Sequence, residues 1–448
     1  MGLGDSHNST PMGTPAFSPP SGARAGRRAP PTGAPRRRPR AHLLAVALAV
    51  ASLVAIAACV AQSSGTWLAD NSPEAALAWG LVSSPALSAV ADRRIDAPGR
   101  PGDDGEAMAY ARQALLAEPL DVRALRVLAL ETEKAGSSAR ARIMMVVGDR
   151  LTRRDTITEL WLFQHALANA DWPRLYLHAD AMLRRVWRLE QVLFPGMTSA
   201  LRDPAAVAPL VARLEETPDW RKGFLNEVAW RSADPADAAR LFASLAATSA
   251  PPTDVEGGYL VERYVSLGDY KDAKSVWTWL LPRGAPRGDG FIYNGDFRPL
   301  PGAPPFNWRL VETDGASVEI TPAADGAPAL HVVAPAAKNA DAAAQLLDLP
   351  PGSYRLSGAA LVEPGQTGDL FSWRVGCVAQ TNAGVAETRQ GSGVSGWRPF
   401  SIAFAVPAQG CDAQWLALEG LAHAGMEPAE AWYRGLTIRP IGAKPASR

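Results

Sequence analysis

The sequence predicts a multidomain α plus β chain: an N-terminal transmembrane helix, an α-helical solenoid and a C-terminal antiparallel β-sandwich. Three observations carry this. Residues 43–61 form an uncharged apolar run. Residues 72–281 read as helices of about 10–16 residues, punctuated by Gly, Pro and Asp turns. Residues 290–442 replace helical periods with short alternating strands between Gly/Pro turns.

The first element is a tail, residues 1–42, rich in proline and carrying seven arginines (Arg24, Arg27, Arg28, Arg36, Arg37, Arg38, Arg40) against one acid, Asp5. That composition predicts a disordered segment. The nineteen residues 43–61 follow it directly. At about 1.5 Å per residue they match a bilayer core of about 30 Å. Arginines on one flank predict a cytoplasmic N-terminus, with everything after Ala61 across the membrane. The expectation is a bacterial inner-membrane, single-pass signal-anchor protein whose bulk is periplasmic. A second reading starts from Ile56-Ala57-Ala58-Cys59, which resembles a lipoprotein lipobox and makes Cys59 a candidate lipidation site. A cleaved signal peptide is a third.

The 45 basic and 45 acidic residues cancel, and with the basic tail set aside the remainder is mildly acidic. This argues against a nucleic-acid partner. Ala- and Arg-rich, Lys-poor usage fits a GC-rich bacterial genome. Three cysteines are present; with Cys59 in the apolar run, an oxidising compartment would pair Cys377 with Cys411, two buried free thiols being the alternative.

Turns at Ala135-Gly136-Ser137, Asp171-Trp172-Pro173, Asp234-Pro235 and Leu267-Gly268-Asp269 divide residues 72–281. A 34-residue period appears over two units, from which the helices that follow drift: Ala141 lies 34 residues after Ala107, and Gly148 lies 34 after Ala114. Pro119 ends one unit; Leu125, Leu128 and Ala129 fit the next first helix, and Ala141, Met145 and Gly148 its second. Gly268, Ala273 and Trp277 repeat the grammar near the end. On these positions the region resembles tetratricopeptide repeats, in which small residues let paired helices approach and large ones fill the gaps. The resemblance implies a curved array that holds protein partners. The alternative is a helical solenoid without a strict repeat. Arg184, Arg185 and Arg188 could meet an acidic partner or form a solvated face, and Trp161, Trp187 and Trp230 read as core.

Residues 282–289 break the helices as a linker. Beyond them Phe371, Trp373, Val375 and Cys377 share one strand face, and Phe400, Ile402, Phe404 and Val406 another. Segments 354–362, 414–418 and 432–438 read as further strands. The opening Phe291-Ile292-Tyr293-Asn294-Gly295-Asp296-Phe297, followed by Trp308, and the closing 431–438 are similar to galactose-binding-like jelly rolls, a group that includes carbohydrate-binding modules. That resemblance implies a sandwich able to carry a glycan on exposed aromatic rings, with Trp308, Trp397 and Trp415 as candidates. It also allows a structural calcium beside the Asn-Gly-Asp turn. By strand parity Trp415 points outward, while Trp373 and Trp432 read as core.

No catalytic constellation is present. The six histidines (His7, His42, His165, His178, His331, His423) are dispersed. His165 and His178 fall in successive helices, but no sequence pattern completes a metal site around them. His-x-x-Glu-His, Gly-x-Ser-x-Gly and Walker signatures are absent. The sequence therefore predicts a non-enzyme: a scaffold that uses helical repeats for protein–protein interaction in envelope or exopolysaccharide assembly or export. The alternatives are a protein whose sandwich binds polysaccharide directly and, more weakly, a lipoprotein of outer-membrane assembly.

Overall fold

The computed structural model describes residues 39–79, 82–96, 103–282, 284–286, 290–311, 316–362, 368–379, 384–391, 396–424 and 427–442. Tail residues 1–38 lie outside them, and within the expected linker only residues 282 and 284–286 are described. The chain divides into two compact units, Met1–Trp67 and Leu68–Arg448.

The apolar run belongs to α1 (Pro39–Asn71), which extends ten residues beyond Ala61 and also takes in 39–42, expected as disordered tail. Among the described residues no helix is long and apolar enough to cross a membrane. This overturns the expected transmembrane span at 43–61, and with it the single-pass inner-membrane placement. The expectation rested on length and lack of charge. Eight of the nineteen residues are alanine, which carries far less apolar surface than leucine or isoleucine. Cys59 is a free, exposed cysteine on this helix.

After the last turn of α1, the second unit continues with helices α2 (Pro73–Ala78), α3 (Ser84–Asp96) and α4 (Asp103–Ala117). Ten more follow: α5 (Val122–Lys134), α6 (Ser138–Leu151), α7 (Thr156–Ala168), α8 (Trp172–Leu183), α9 (Glu190–Ala200), α10 (Val207–Leu214), α11 (Arg221–Arg231), α12 (Pro235–Ala246), α13 (Asp254–Ser266) and α14 (Tyr270–Leu280). Their starts are written in the turns. Asp121, Asp155, Asp171 and Asp234 each accept a hydrogen bond from an amide in the following first turn, so α5, α7, α8 and α12 begin there. Thr253 and Glu256 form a capping box at α13. Gly268 takes φ +80° in the turn before α14.

Successive helices pack in pairs, α3 on α4, α5 on α6, α7 on α8 and α13 on α14. Ala107, Ala114, Ala129, Ala141, Met145, Gly148 and Ala273 are buried. In α5 the register differs: Ala124 and Val127 take the fully buried positions, Leu125 and Leu128 are half-buried, and Pro119 is exposed. α5 packs against α3, α4 and α6 together, and Arg126 and Glu131 share its buried face with Ala124, Val127 and Ala129. Trp187 and Trp230, expected in the core, are exposed, and Trp161 is half-buried with its ring stacked on His165. Trp187 lies in a short 3-10 turn where Arg188 covers one face of the indole.

The sandwich comprises β1 (Arg309–Leu310), β2 (Ser317–Pro322), β3 (Pro328–Ala334), β4 (Ala340–Leu347), β5 (Gly352–Val362), β6 (Asp369–Cys377), β7 (Gly384–Gly391), β8 (Arg398–Val406), β9 (Gln414–Gly420) and β10 (Ala429–Pro440). Two antiparallel five-stranded sheets result, in the orders β1-β4-β9-β6-β7 and β2-β3-β10-β5-β8. Their inner faces enclose Phe371, Trp373, Val375, Leu416, Leu418, Ala431 and Tyr433. Cys377, ending β6, is disulfide-bonded to Cys411, just before β9, with a sequence separation of 34. Closing such a loop contributes about 4 kcal/mol in the chain-entropy account.

Helices and sandwich share a core. Trp277 of α14 packs edge-on against Tyr293 at 4.8 Å between ring centroids, and its indole N–H donates to the Ala303 carbonyl at 2.8 Å. Phe306, Leu346 and Ala413 from the sandwich side join the same buried cluster as the helices. The Gly302 amide donates to Asp254 of α13 at 3.1 Å. Trp277, matched in sequence to a repeat position, therefore holds the seam between the two regions.

Candidate functional site

The three tryptophans singled out from the sequence occupy three different environments. Trp308 is only 5% exposed. Its indole N–H donates to the Asn294 carbonyl at 2.9 Å, and its ring packs between Phe297 and Trp373. Both its polar handle and its faces are consumed by the core, so it offers nothing to a sugar, contrary to expectation. Trp415 points out of its sheet, as its parity implies, but Arg309 lies 5.5 Å above the ring and the shared core packs beside it. Arg309 in turn pairs with Glu262 of α13 at 3.3 Å. The seam therefore covers Trp415.

Trp397 is different. It precedes β8 and is half-buried, with the Arg434 guanidinium carbon 3.9 Å from its ring centroid. Arg434 also donates to Asp325 in a close ion pair. That hydrogen bond, joined by the Ala327 amide, holds the Asp325 carboxyl below the ordinary aspartate range. The Arg434 side chain leads into an open groove of about 500 Å³. Asp296, Arg298, Ser357, Gly358, Ala359 and Gly435 line it with Arg434.

The groove exists because of how the Asn-Gly-Asp turn meets β10. Asn294 adopts φ +57°, and its side chain both accepts from the Arg298 amide and donates to the Arg298 carbonyl, each at 2.7 Å. A Cβ at Gly295 would lie 2.0 Å from the Leu436 carbonyl oxygen, so only glycine fits. The Leu436 amide donates to the Gly295 carbonyl at 2.9 Å. The register between β10 and β5 shifts between Arg434 and Thr437, where the turn docks. The turn thus closes the sandwich and leaves the Asp296 carboxylate exposed at the groove. As for the calcium expectation, the three-residue cluster of metal-ligating groups found among the described residues lies in the helices, not beside this turn.

The same outer sheet face continues along β10 and β3. Trp432, read as core from the sequence, is half-buried on this face, because Ala431 and Tyr433 hold the inward positions of β10. Its ring stacks on His331 at 4.1 Å, and His331 bridges Glu430 at 2.8 Å and Glu319 at 3.3 Å. Two indoles, each backed by a cationic or imidazole group and edged by carboxylates, therefore share one surface. Sequence parity could have found Trp432: Glu430 and Arg434 alternate with it, and charged neighbours at i±2 mark a solvent face. Arg434 and Asp325 are far apart in sequence and become neighbours only through the fold.

No protein-family model matches the chain, and no curated protein matches it. Among solved structures, the chain is similar to the enzymatically active domain of bacteriophage CBA120 tailspike protein 4, at 14% identity over 34% of this chain, with a TM-score of 0.26. The similarity spans 21% of that tailspike domain's own length. It is also similar to TmCBM61, solved in complex with β-1,4-galactotriose, at 16% identity over 36% of this chain and 100% of that one, TM-score 0.23. The C-terminal family 22 carbohydrate-binding module of Clostridium thermocellum Xyn10B is similar at 17% identity over 36% of this chain and 98% of that one, TM-score 0.26. Part of the chain is thus similar to carbohydrate-binding modules, at a level that assigns no ligand.

Proposed function

We propose that this chain is a glycan-binding protein rather than an enzyme, and that its sandwich receives a saccharide on the outer face of the β2-β3-β10-β5-β8 sheet. The observation that carries this reading is the open polar groove lined by Asp296, Arg298, Ser357 and Arg434, whose guanidinium also stacks on Trp397. A pyranose has apolar C–H faces and hydroxyl edges. The rings of Trp397 and Trp432 suit the former, and Asp296, Arg298 and Ser357 suit the latter. The helices serve as the protein-binding part. The buried small residues of α4 to α6 support a tetratricopeptide-like array there, and Arg142, Ile143, Val147 and Arg174 line an open groove on it. Arg184, by contrast, is engaged with Asp180 and Glu216 and is a poor candidate for an acidic partner.

The test is retention of the full-length chain on immobilised polysaccharides, including galactans and xylans. Trp397→Ala should weaken retention by at least about tenfold, the loss of roughly one stacked ring. Retention by the Trp397→Ala/Trp432→Ala variant equal to that of the native chain would sink the proposal.

A further inference from the structure

The helical groove has a floor that the glycan reading does not use. Asp149 of α6, Glu159 of α7 and His178 of α8 each bring one ligand-type atom to a point where all three lie within 4.8 Å of one another. Glu159 is fully buried and His178 nearly so. His178 Nδ1 lies 2.8 Å from Glu159 Oε2. The other Glu159 oxygen, Oε1, is buried without a hydrogen-bond partner, as is Asp149 Oδ1, which has Arg153 Nε at 3.5 Å.

A buried carboxylate oxygen that meets no donor is costly unless a proton or a cation compensates it. Three helices converge on this one, and the sequence shows no motif because the three ligands come from three separate elements. One imidazole nitrogen and two carboxylate oxygens form a donor set suited to a borderline divalent ion, at bond lengths of about 2.0–2.2 Å for zinc. Asp149 and His178 also line the open groove of about 620 Å³, so a fourth position would face solvent. Three protein ligands with an open position is the arrangement of an accessible zinc site rather than a closed structural one.

We infer that Asp149, Glu159 and His178 form a mononuclear site for a divalent transition ion of the zinc class, opening onto the groove of the helical region. The ion would replace the His178–Glu159 hydrogen bond, take up the free Glu159 oxygen and tie α6, α7 and α8 together. A water, or an oxygen or nitrogen of a bound partner, would complete its coordination from the groove side.

The test is calorimetric titration of the metal-stripped full-length protein with zinc chloride, repeated with cobalt(II) to read coordination from its visible spectrum. The expected result is one equivalent bound with Kd at or below about 10 μM. Glu159→Gln keeps the side-chain shape and should weaken binding by at least about 100-fold, beyond the usual effect of an outer-shell change. Asp149→Asn, on the groove side, should also weaken it and serves if Glu159→Gln perturbs the helices by circular dichroism. His165→Ala, elsewhere on the groove wall, should leave binding unchanged. Weaker or non-stoichiometric binding by the native chain overturns the site. So does binding that persists in both Glu159→Gln and Asp149→Asn.

Discussion

Replacing Lys274 by methionine should stabilise the protein, and the gain should shrink as pH rises. Lys274 sits on α14 at the seam, its ammonium 4.3 Å from the Trp277 ring centroid and 4.6 Å from that of Phe306. Burial pushes its amine down to about 8 from an ordinary value near 10.5, against the opposing pull of Asp348. Between those two values the unfolded chain binds the proton that the folded chain releases, so stability rises with pH there; below about pH 8 both states are charged and the cost of burying the charge is present in full. At 1.36 kcal/mol per unit that cost is about 3 kcal/mol at pH 7 and about 1.4 kcal/mol at pH 9.5. Methionine keeps the length and meets the same rings through its thioether. The variant should therefore exceed the native protein by about 1–3 kcal/mol at pH 7, and the gap should fall by more than half at pH 9.5. Urea unfolding followed by near-UV circular dichroism at both pH values measures it. Buried tyrosines titrate in both proteins and cancel in the comparison. A variant less stable than the native chain at pH 7, or a gap that ignores pH, would refute the reasoning.

Two further outcomes are expected. Glu256→Ala leaves the buried Arg221 guanidinium, now held by two 3.0 Å bonds to Glu256, without its counter-charge and should cost about 3–5 kcal/mol in chemical unfolding, whereas Arg221→Met/Glu256→Leu should recover only part of it, because the α13 cap and the Arg221 bonds to the Leu214, Ala250 and Pro251 carbonyls stay lost. Trp308→Ala should cost about 3–5 kcal/mol, while Trp397→Ala, which loses the Arg434 contact, should cost about 1 kcal/mol; thermal unfolding separates the core indole from the half-buried one.

Much of the fold was legible because it is local. The turn at Asp171-Trp172-Pro173 marks the start of α8, where Asp171 caps the first turn, and the alternation of Phe371, Trp373, Val375 and Cys377 faces inward along β6. The pairing of Cys377 with Cys411 is present, but the sequence argument for it set Cys59 aside as part of a membrane segment, a premise the structure overturns. β4 was illegible. Ala340–Leu347 is alanine-rich, which favours a helix by propensity, yet β9 and β1 pair with it on both sides and tertiary pairing wins. The candidate sites were harder still. Trp308 looks like any strand-edge indole until the Asn294 carbonyl claims its N–H. Arg434 with Asp325, and Glu159 with His178, are partnerships across the fold that no spacing in the chain announces.

The seam has a mechanical consequence. Trp277, Leu346 and Ala413 fix the helices to one sheet of the sandwich, while Trp397, Trp432 and Arg434 sit on the outward face of the other. Tension applied to anything held on that far face must cross the whole thickness of the sandwich before it reaches the helices. It would arrive there through an interlocked aromatic contact rather than a slack tether. The two regions would then carry such a load as one packed unit.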